Sequence, residues 1–455
     1  MMEKIKQTLR DSTGARWAAL LIVSFTMMWG YFLTDAMAPL MDSLGAEPNL
    51  WSAQEFGLFN SAYGWINVFL LMLFFGGLIL DKMGVRFTGT LSASLMIIGA
   101  FLKYYAIQYI SPEAGMILGI RTQVAVACIG FAIFGVGCEI TGITVSKVIV
   151  KWFQGKELAL AMGVQVGIAR LGTFLALGVS PILARNFSLS TPLLFALILL
   201  GIGLLVYFVY HVMDSKLDRQ LGELPMESQD EEFKIRDLGS LLGNRGFWLV
   251  ALLCVLFYSA VFPFIKFATS MAINKYGVEK DMAGWLPSLL PIGNLILTPL
   301  FGIFYDRKGK GATLMITGSF LLVLVHLLFA MPALNYWWFA AAVMIVLGIA
   351  FSLVPSAMWP SVPKIIPNHQ LGTAYALIFW VQNWGLMGVP YLIGWILNTY
   401  CITGKNLDGS ATYNYTLPEL IFAGFGLLAI VVALLLKAED KRKGYGLERP
   451  NIKND

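Results

Sequence analysis

Six charged side chains fall within or near the ends of apolar stretches of this 455-residue chain: Asp35, Lys103, Arg121, Glu139, Arg170 and Lys266. A charge at the centre of a hydrocarbon layer costs about 2.5 to 3.5 kcal/mol on insertion scales, so each needs a reason. Glu139 interrupts the apolar run FGVGCEITGI and lies twelve residues before Lys151, while Arg170 lies fourteen residues after Lys156. At about 1.5 Å per residue the two sit about 18 and 21 Å from the loop that joins their helices. Opposite charges at matching depth on consecutive antiparallel helices have two readings. One is a buried ion pair that locks the helices together. The other is a pair facing a polar cavity, with a carboxylate available to an ammonium and a guanidinium available to a carboxylate through its bidentate fork.

Other residues could complete such a cavity. Tyr258 precedes the bend expected at Pro263, and Lys266 follows about one turn later. Trp359 stands in SLVPSAMWPSVPKIIP, where Pro355, Pro360, Pro363 and Pro367 are expected to forbid an unbroken helix and to free backbone carbonyls. Gln382 and Asn383 add neutral hydrogen-bonding groups. Lys103 and Arg121 flank a short outer connection and are expected to snorkel to headgroups. Asp35, four residues before Pro39, reads as an outer-gate or helix-end residue. His211, His326 and His369 are scattered, without metal-ligand spacing or a nucleophile motif, so neither an enzyme nor a metal site nor a cofactor is expected.

The elements that position these groups follow from composition. Hydrophobic residues make up 58% of the chain and charged residues 13%, against about 25% charged in soluble domains. Apolar runs of about 20 residues begin near Trp17, Phe56, Thr88, Gly115, Leu158, Pro192, Phe247, Gly284, Ala312, Tyr336, Leu371 and Leu417, which predicts an all-α membrane protein with twelve transmembrane helices. The basic stretch before the first run (Lys4, Lys6, Arg10, Arg16) lacks a cleavage site and places the amino terminus in the cytoplasm. Inside connections then hold Lys82, Arg86, Lys147, Lys151, Lys156, Arg307, Lys308, Lys310 and Lys364, and a cytoplasmic tail adds Lys437, Lys441, Arg442 and Lys443. Outside connections keep little beyond Arg185, Lys275, Lys280 and Lys405, a positive-inside asymmetry. The net charge of +5 therefore reports topology, and nucleic-acid binding is excluded. Cys128, Cys138 and Cys254 fall in spans and Cys401 outside, with no disulfide framework implied; sequons occur at Asn186 and Asn414.

One long polar stretch, residues 214–245, mixes acidic residues (Glu227, Asp230, Glu231, Glu232) with basic ones around Pro225. It reads as a cytoplasmic linker between six-helix bundles at 1–213 and 246–437, followed by a tail at 438–455. GLILDKMGVR (Gly77, Asp81, Lys82, Gly84, Arg86) recurs 225 positions later as GIFYDRKGKG (Gly302, Asp306, Arg307). In this reading Gly77 and Gly302 let helices approach, Asp81 and Asp306 begin a short turn, and the basic residues hold it at an anionic membrane face. A parallel internal repeat places a site at the interface of the halves. A second match aligns Glu157 with Gln370, Arg170 with Asn383 and Gly172 with Gly385, as expected if both segments line a central path.

The repeated G-x-x-x-D-[KR]-x-G pattern resembles the signature loop of the major facilitator superfamily, over the whole chain. Three further segments are similar to its lysosomal dipeptide transporter branch: GVGCEITGITVSKVIVKWFQGKELALAMGVQVGIARLG, LFYSAVFPFI and MWPSVPKIIPNHQLGTAYALIFWVQNWGL. That resemblance implies passive or proton-influenced dipeptide movement, with Glu139 and Arg170 meeting the peptide termini. Lys266 departs from the family pattern, which suggests a small residue there, and would favour acidic ligands. The amino-terminal tail lacks an acidic dileucine signal, so a bacterial-type plasma membrane is expected, with both termini cytoplasmic and a monomeric state.

Three hypotheses compete. The first is alternating-access transport of dipeptides or similar small zwitterions. The second is a proton-coupled carrier of organic anions in which Arg170 and Lys266 hold the anion and Glu139 carries the proton. The third is a non-transporting receptor or scaffold, which would need a sizeable extramembrane domain.

Overall fold

The computed structural model describes residues 8–153, 156–222, 238–367 and 370–451. Lys4, Lys6, Gly155, His369 and the acidic part of the linker around Pro225 lie outside the described residues. Ten spans are continuous helices: Thr13–Asp35 is the first, and the fourth to twelfth are Thr122–Phe153, Leu158–Asn186, Thr191–Leu221, Arg245–Tyr276, Trp285–Lys308, Gly311–Ala330, Trp337–Ile365, Leu371–Tyr400 and Thr416–Lys443. The second span is broken into Ala53–Ala62, Trp65–Phe69 and the start of Met72–Tyr109. That last helix has 38 residues, about 57 Å, nearly twice a hydrocarbon layer of about 30 Å. It divides at Gly84, whose φ of 77° is unsuited to a side-chain-bearing residue, into the end of the second span and the whole third. Twelve crossings result among the described residues.

Some expectations are corrected here. The fourth span starts at Thr122, because Gly115 and Gly119 take positive φ and Met116–Ile117 pairs with Ile120–Arg121 in a small hairpin. Residues 214–221 of the polar stretch continue the sixth helix. The tenth span stays unbroken despite Pro355, Pro360 and Pro363. Pro355 frees the carbonyl of Phe351, which accepts from Asn294 Nδ2 at 3.2 Å; Pro363 frees that of Trp359, which accepts from the Tyr375 hydroxyl at 3.4 Å. For Pro355 and Pro363, neighbouring helices thus supply the hydrogen bonds the prolines remove.

The halves meet through the second and eleventh spans and, related by a six-span shift, the fifth and eighth. One apolar core runs through the outer part of the first half and the length of the second, down to Ile365, Leu371 and Leu447 at its inner end, and a separate one, around Trp152 and Tyr210, fills the inner part of the first half. Hydrogen bonds and ion pairs between halves cluster at the outer end: Lys266 with Asp35, Asn274 with Asp42, Gln54 with Tyr391, Arg185 with Asp281; further inward, Trp380 Nε1 donates to the Val68 carbonyl at 3.0 Å. Among the described residues no ion pair joins the halves at the inner face, where the basic loops lie. The structure is closed outside and parted inside.

Candidate functional site

Between the halves lie two connected chambers. The outer one, about 140 Å³, includes Tyr31, Thr34, Asp35, Asn60, Lys266 and Gln382 in its wall. The inner one, about 460 Å³, reaches toward the inner face past Ser146, Gln165 and Thr298 and is lined by Tyr258 and Trp359. Tyr31, Tyr63, Cys138, Glu139 and Arg170 border both. The two charges singled out from the sequence therefore stand at the neck.

Glu139 and Arg170 are not paired with one another. The Tyr63 hydroxyl donates to Glu139 Oε1 at 2.9 Å. The Arg170 guanidinium sits among three rings, with its carbon 5.6 Å from the centroids of Tyr31 and Phe262 and 5.5 Å from that of Phe351. Among the described residues no carboxylate lies within ion-pair distance of it. The ring faces supply favourable quadrupoles rather than hydrogen bonds, so the planar donors of Arg170 remain open to a ligand. Tyr31 comes from the first half, Phe262 and Phe351 from the second, so this cage spans the interface.

The remaining expected residues separate. Trp359 Nε1 donates to the Tyr258 hydroxyl at 3.2 Å and its ring stacks on Phe379 at 5.0 Å, which places an aromatic wall in the inner chamber. Gln382 lines the outer chamber, where its Oε1 accepts from the Cys254 thiol at 3.4 Å. Asn383 lines neither chamber: one residue further round a helix turns it about 100° away, and its Nδ2 donates back to the Phe379 carbonyl. Lys266 lines the outer chamber, but its ammonium donates to Asp35 Oδ1 at 2.5 Å and to the Thr34 carbonyl at 2.8 Å. Asp35 Oδ2 also accepts from Thr173 at 2.8 Å.

Neither snorkelling expectation holds. Lys103 is fully buried, donates to the Leu33 carbonyl at 3.0 Å and lies 4.0 Å from the Phe131 centroid, so it caps the outer end of the first span. Arg121 binds Glu55 and the carbonyls of Asn49 and Leu50 instead of reaching the headgroups.

The loop motifs sit at the inner face. Asp81 pairs with Lys147 at 2.6 Å; Arg86 pairs with Asp218 at 3.2 Å and donates to Ser215; Lys82 is exposed. Asp306 accepts from Asn451, while Arg307 and Lys308 are exposed or partly so. Gly84 and Gly309, 225 positions apart, both have positive φ. Gly77 and Gly302 do not mediate close helix contact: a Cβ at either would meet nothing within 4 Å, and the approach falls instead on Gly76, against Ile140.

Tyr31, Tyr63, Phe351 and Thr173 have no charge or motif that marks them in the sequence. One sign was readable: Tyr31 lies four residues before Asp35 and Phe262 four before Lys266, each pair one turn apart on a common face.

The profile of the Major Facilitator Superfamily matches residues 20–390 and 267–452. The chain is 28% identical to the lysosomal dipeptide transporter MFSD1 of Bos taurus, over 84% of this chain and 80% of that protein. It is 26% identical to the Homo sapiens protein of the same name, over 95% and 88%, and 28% identical to that of Danio rerio, over 94% and 88%. Among solved structures, an inward-facing, unoccupied bacterial homologue of the human lysosomal transporter Spinster superposes with a TM-score of 0.70 at 14% identity, covering 95% of this chain and 98% of that one. The nucleoside transporter NupG gives 0.68 at 16%, covering 93% and 98%. The lysosomal names of relatives spanning most of the chain overturn the plasma-membrane expectation drawn from the amino-terminal tail, while the many-crossing membrane character stands. The chain belongs to the Major Facilitator Superfamily and is a secondary transporter of a small-molecule substrate, not an enzyme.

Proposed function

We propose that the protein moves dipeptides or similar small zwitterions by alternating access, with Glu139 receiving the ammonium and Arg170 the carboxylate. One observation carries this reading: two opposite charges face the same neck without neutralising each other. A ligand carboxylate on Arg170 would enter a cage built from both halves, which ties occupancy to their relative position. The motif loops (Asp81, Arg86 and their second-half counterparts) would set the rate of that movement. The relatives named as lysosomal dipeptide transporters support both the substrate class and a lysosomal membrane.

The organic-anion reading needs Lys266 as a free cation, and the Asp35 contact at 2.5 Å removes that support. Uptake of a labelled dipeptide and of a dicarboxylate into proteoliposomes separates the two. Glu139→Gln and Arg170→Gln should each weaken dipeptide binding about 10- to 100-fold, the worth of a charge-assisted hydrogen bond. Blocking the ligand's amino terminus should cost affinity in the parent and little more in Glu139→Gln. Additive losses would refute the ammonium contact.

A further inference from the structure

The outer chamber ends at an ion pair whose two members come from opposite halves. Tyr31 and Phe262 flank Arg170, and Asp35 and Lys266 follow each of them by four residues, so the pair is carried about one helical turn, about 6 Å of rise, outward of those two residues on their own helices. Both charged groups line the chamber along with Arg170. At about 140 Å³ the chamber is smaller than the inner one of about 460 Å³ and has room for a side chain.

We propose that this chamber receives the side chain of the ligand's carboxyl-terminal residue, and that the Asp35–Lys266 pair makes it tolerant of either charge. This rests on the dipeptide reading above. A carboxylate held by Arg170 directs the neighbouring side chain about one turn outward. A side-chain ammonium or guanidinium there meets Asp35, and a side-chain carboxylate meets Lys266. Each displaced member keeps a hydrogen bond, Asp35 with Thr173 and Lys266 with the Thr34 carbonyl, so exchange leaves neither without a polar partner. The acid preference that an isolated Lys266 would impose is cancelled by its partner. Selectivity should then be switchable in opposite directions by removing one member or the other, which a purely structural latch does not permit.

The test is competition against a labelled alanyl-alanine on the purified full-length chain, using alanyl-lysine, alanyl-glutamate and the reversed sequences lysyl-alanine and glutamyl-alanine. The parent should bind alanyl-lysine and alanyl-glutamate within about threefold of each other, since a neutral pair offers similar terms to both signs. Lys266→Met should shift that ratio about tenfold toward alanyl-lysine, and Asp35→Asn about tenfold toward alanyl-glutamate, the lower end of a charge-assisted contact. The charge exchange Asp35→Lys with Lys266→Asp should restore near parity, and it serves if either single variant fails to fold. Shifts in the same direction, or an unchanged ratio, overturn the proposal and leave the pair a latch between halves. Shifts confined to the reversed dipeptides overturn the assignment to the carboxyl-terminal side chain. A folded parent from which no dipeptide displaces the label, or which binds no label, refutes the dipeptide reading itself, and the inference falls with it.

Discussion

The two copies of the repeated loop begin alike and are held differently. In the first half, Asp81 meets Lys147, and around it Arg86, Lys151, Asp214 and Asp218 form a charged network. In the second half, Asp306 meets the amide of Asn451, and the carboxyl-terminal segment after Lys443 folds back over the loop. The amides of Lys310 and Gly311 donate to the carbonyls of Glu448 and Leu447 at 3.0 and 2.9 Å, and Glu448 caps the ninth span through Thr313. Leu447 is fully buried beneath. One motif is thus stabilised by screened charges and the other by backbone pairing and apolar burial. Both arrangements remain within their own half, so neither decides which end of the cavity is closed.

The largest effect should come from breaking the second arrangement. Leu447→Ala removes a buried side chain at a site that cannot simply collapse, and should lower the opening free energy of the Lys310 and Gly311 amides by about 2 to 5 kcal/mol. Native-state hydrogen exchange measures this directly. Unchanged protection would mean that the tail is an ornament on a loop that is stable alone.

Next comes a test of where the halves are joined. A Cβ on Gly284 would overlap the Leu177 carbonyl of the opposite half, and one on Gly57 would lie 2.6 Å from the Pro390 carbonyl and 2.9 Å from Gly394 Cα. Backbone cannot yield as a side chain does. Overpacking typically costs about 1 to 3 kcal/mol, so Gly284→Ala should raise outer-side thiol labelling at Asn60→Cys about five- to a hundredfold. Gly163, near the inner end of the fifth span, has open space around it, and Gly163→Ala should leave labelling unchanged. Equal effects at both sites would refute an outer seal built on close backbone approach.

These contrasts also mark what was legible in the sequence. The spans, the duplicated loop and the neck charges Glu139 and Arg170 could be read, because apolar length, repetition and the cost of a buried charge are properties of single segments. Partners could not. Whether Glu139 reaches Arg170 or Tyr63, and whether Lys266 is free or bound to Asp35 some 231 positions away, depends on how helices rotate against each other. Asn383 failed for the same reason, since a repeat alignment fixes its position along a helix but not its face. The tenth span withstood its prolines through Asn294 and Tyr375, which lie on other helices and leave no local trace.

A smaller effect is expected at Asp81. Its bond to Lys147 joins side chains 38% and 33% exposed, and such pairs are worth about 0 to 1 kcal/mol. Asp81→Asn should slow transport while leaving expression and ligand affinity nearly intact, and raising salt should narrow the difference between parent and variant. Asn451→Ala, which removes an uncharged partner of Asp306 rather than a counter-charge, should show a weaker salt response. Loss of folded protein in Asp81→Asn would instead assign the first loop a structural role like that of the second.

The smallest effect concerns acid and the outer surface. Asp408 lies in the hairpin that joins the last two spans, where the Lys280 ammonium and the Ser410 hydroxyl hold its carboxyl down at about 2, from an ordinary 3.8. The same residue's carbonyl accepts from the amide of Glu47, linking this hairpin to the first half. Because the folded state prefers the ionised form, the contribution of Asp408 is present above pH 3.8 and is lost only as pH falls through about 2. Between pH 7 and about pH 4.5 it is constant. Exchange protection of the Glu47 amide should therefore be the same at both values after correction for intrinsic rates, while Asp408→Asn should lower it equally at each. A fall in protection between pH 7 and 4.5 that disappears in Asp408→Asn would show that Asp408 does titrate there, and that its contact with Lys280 is weaker than the geometry implies.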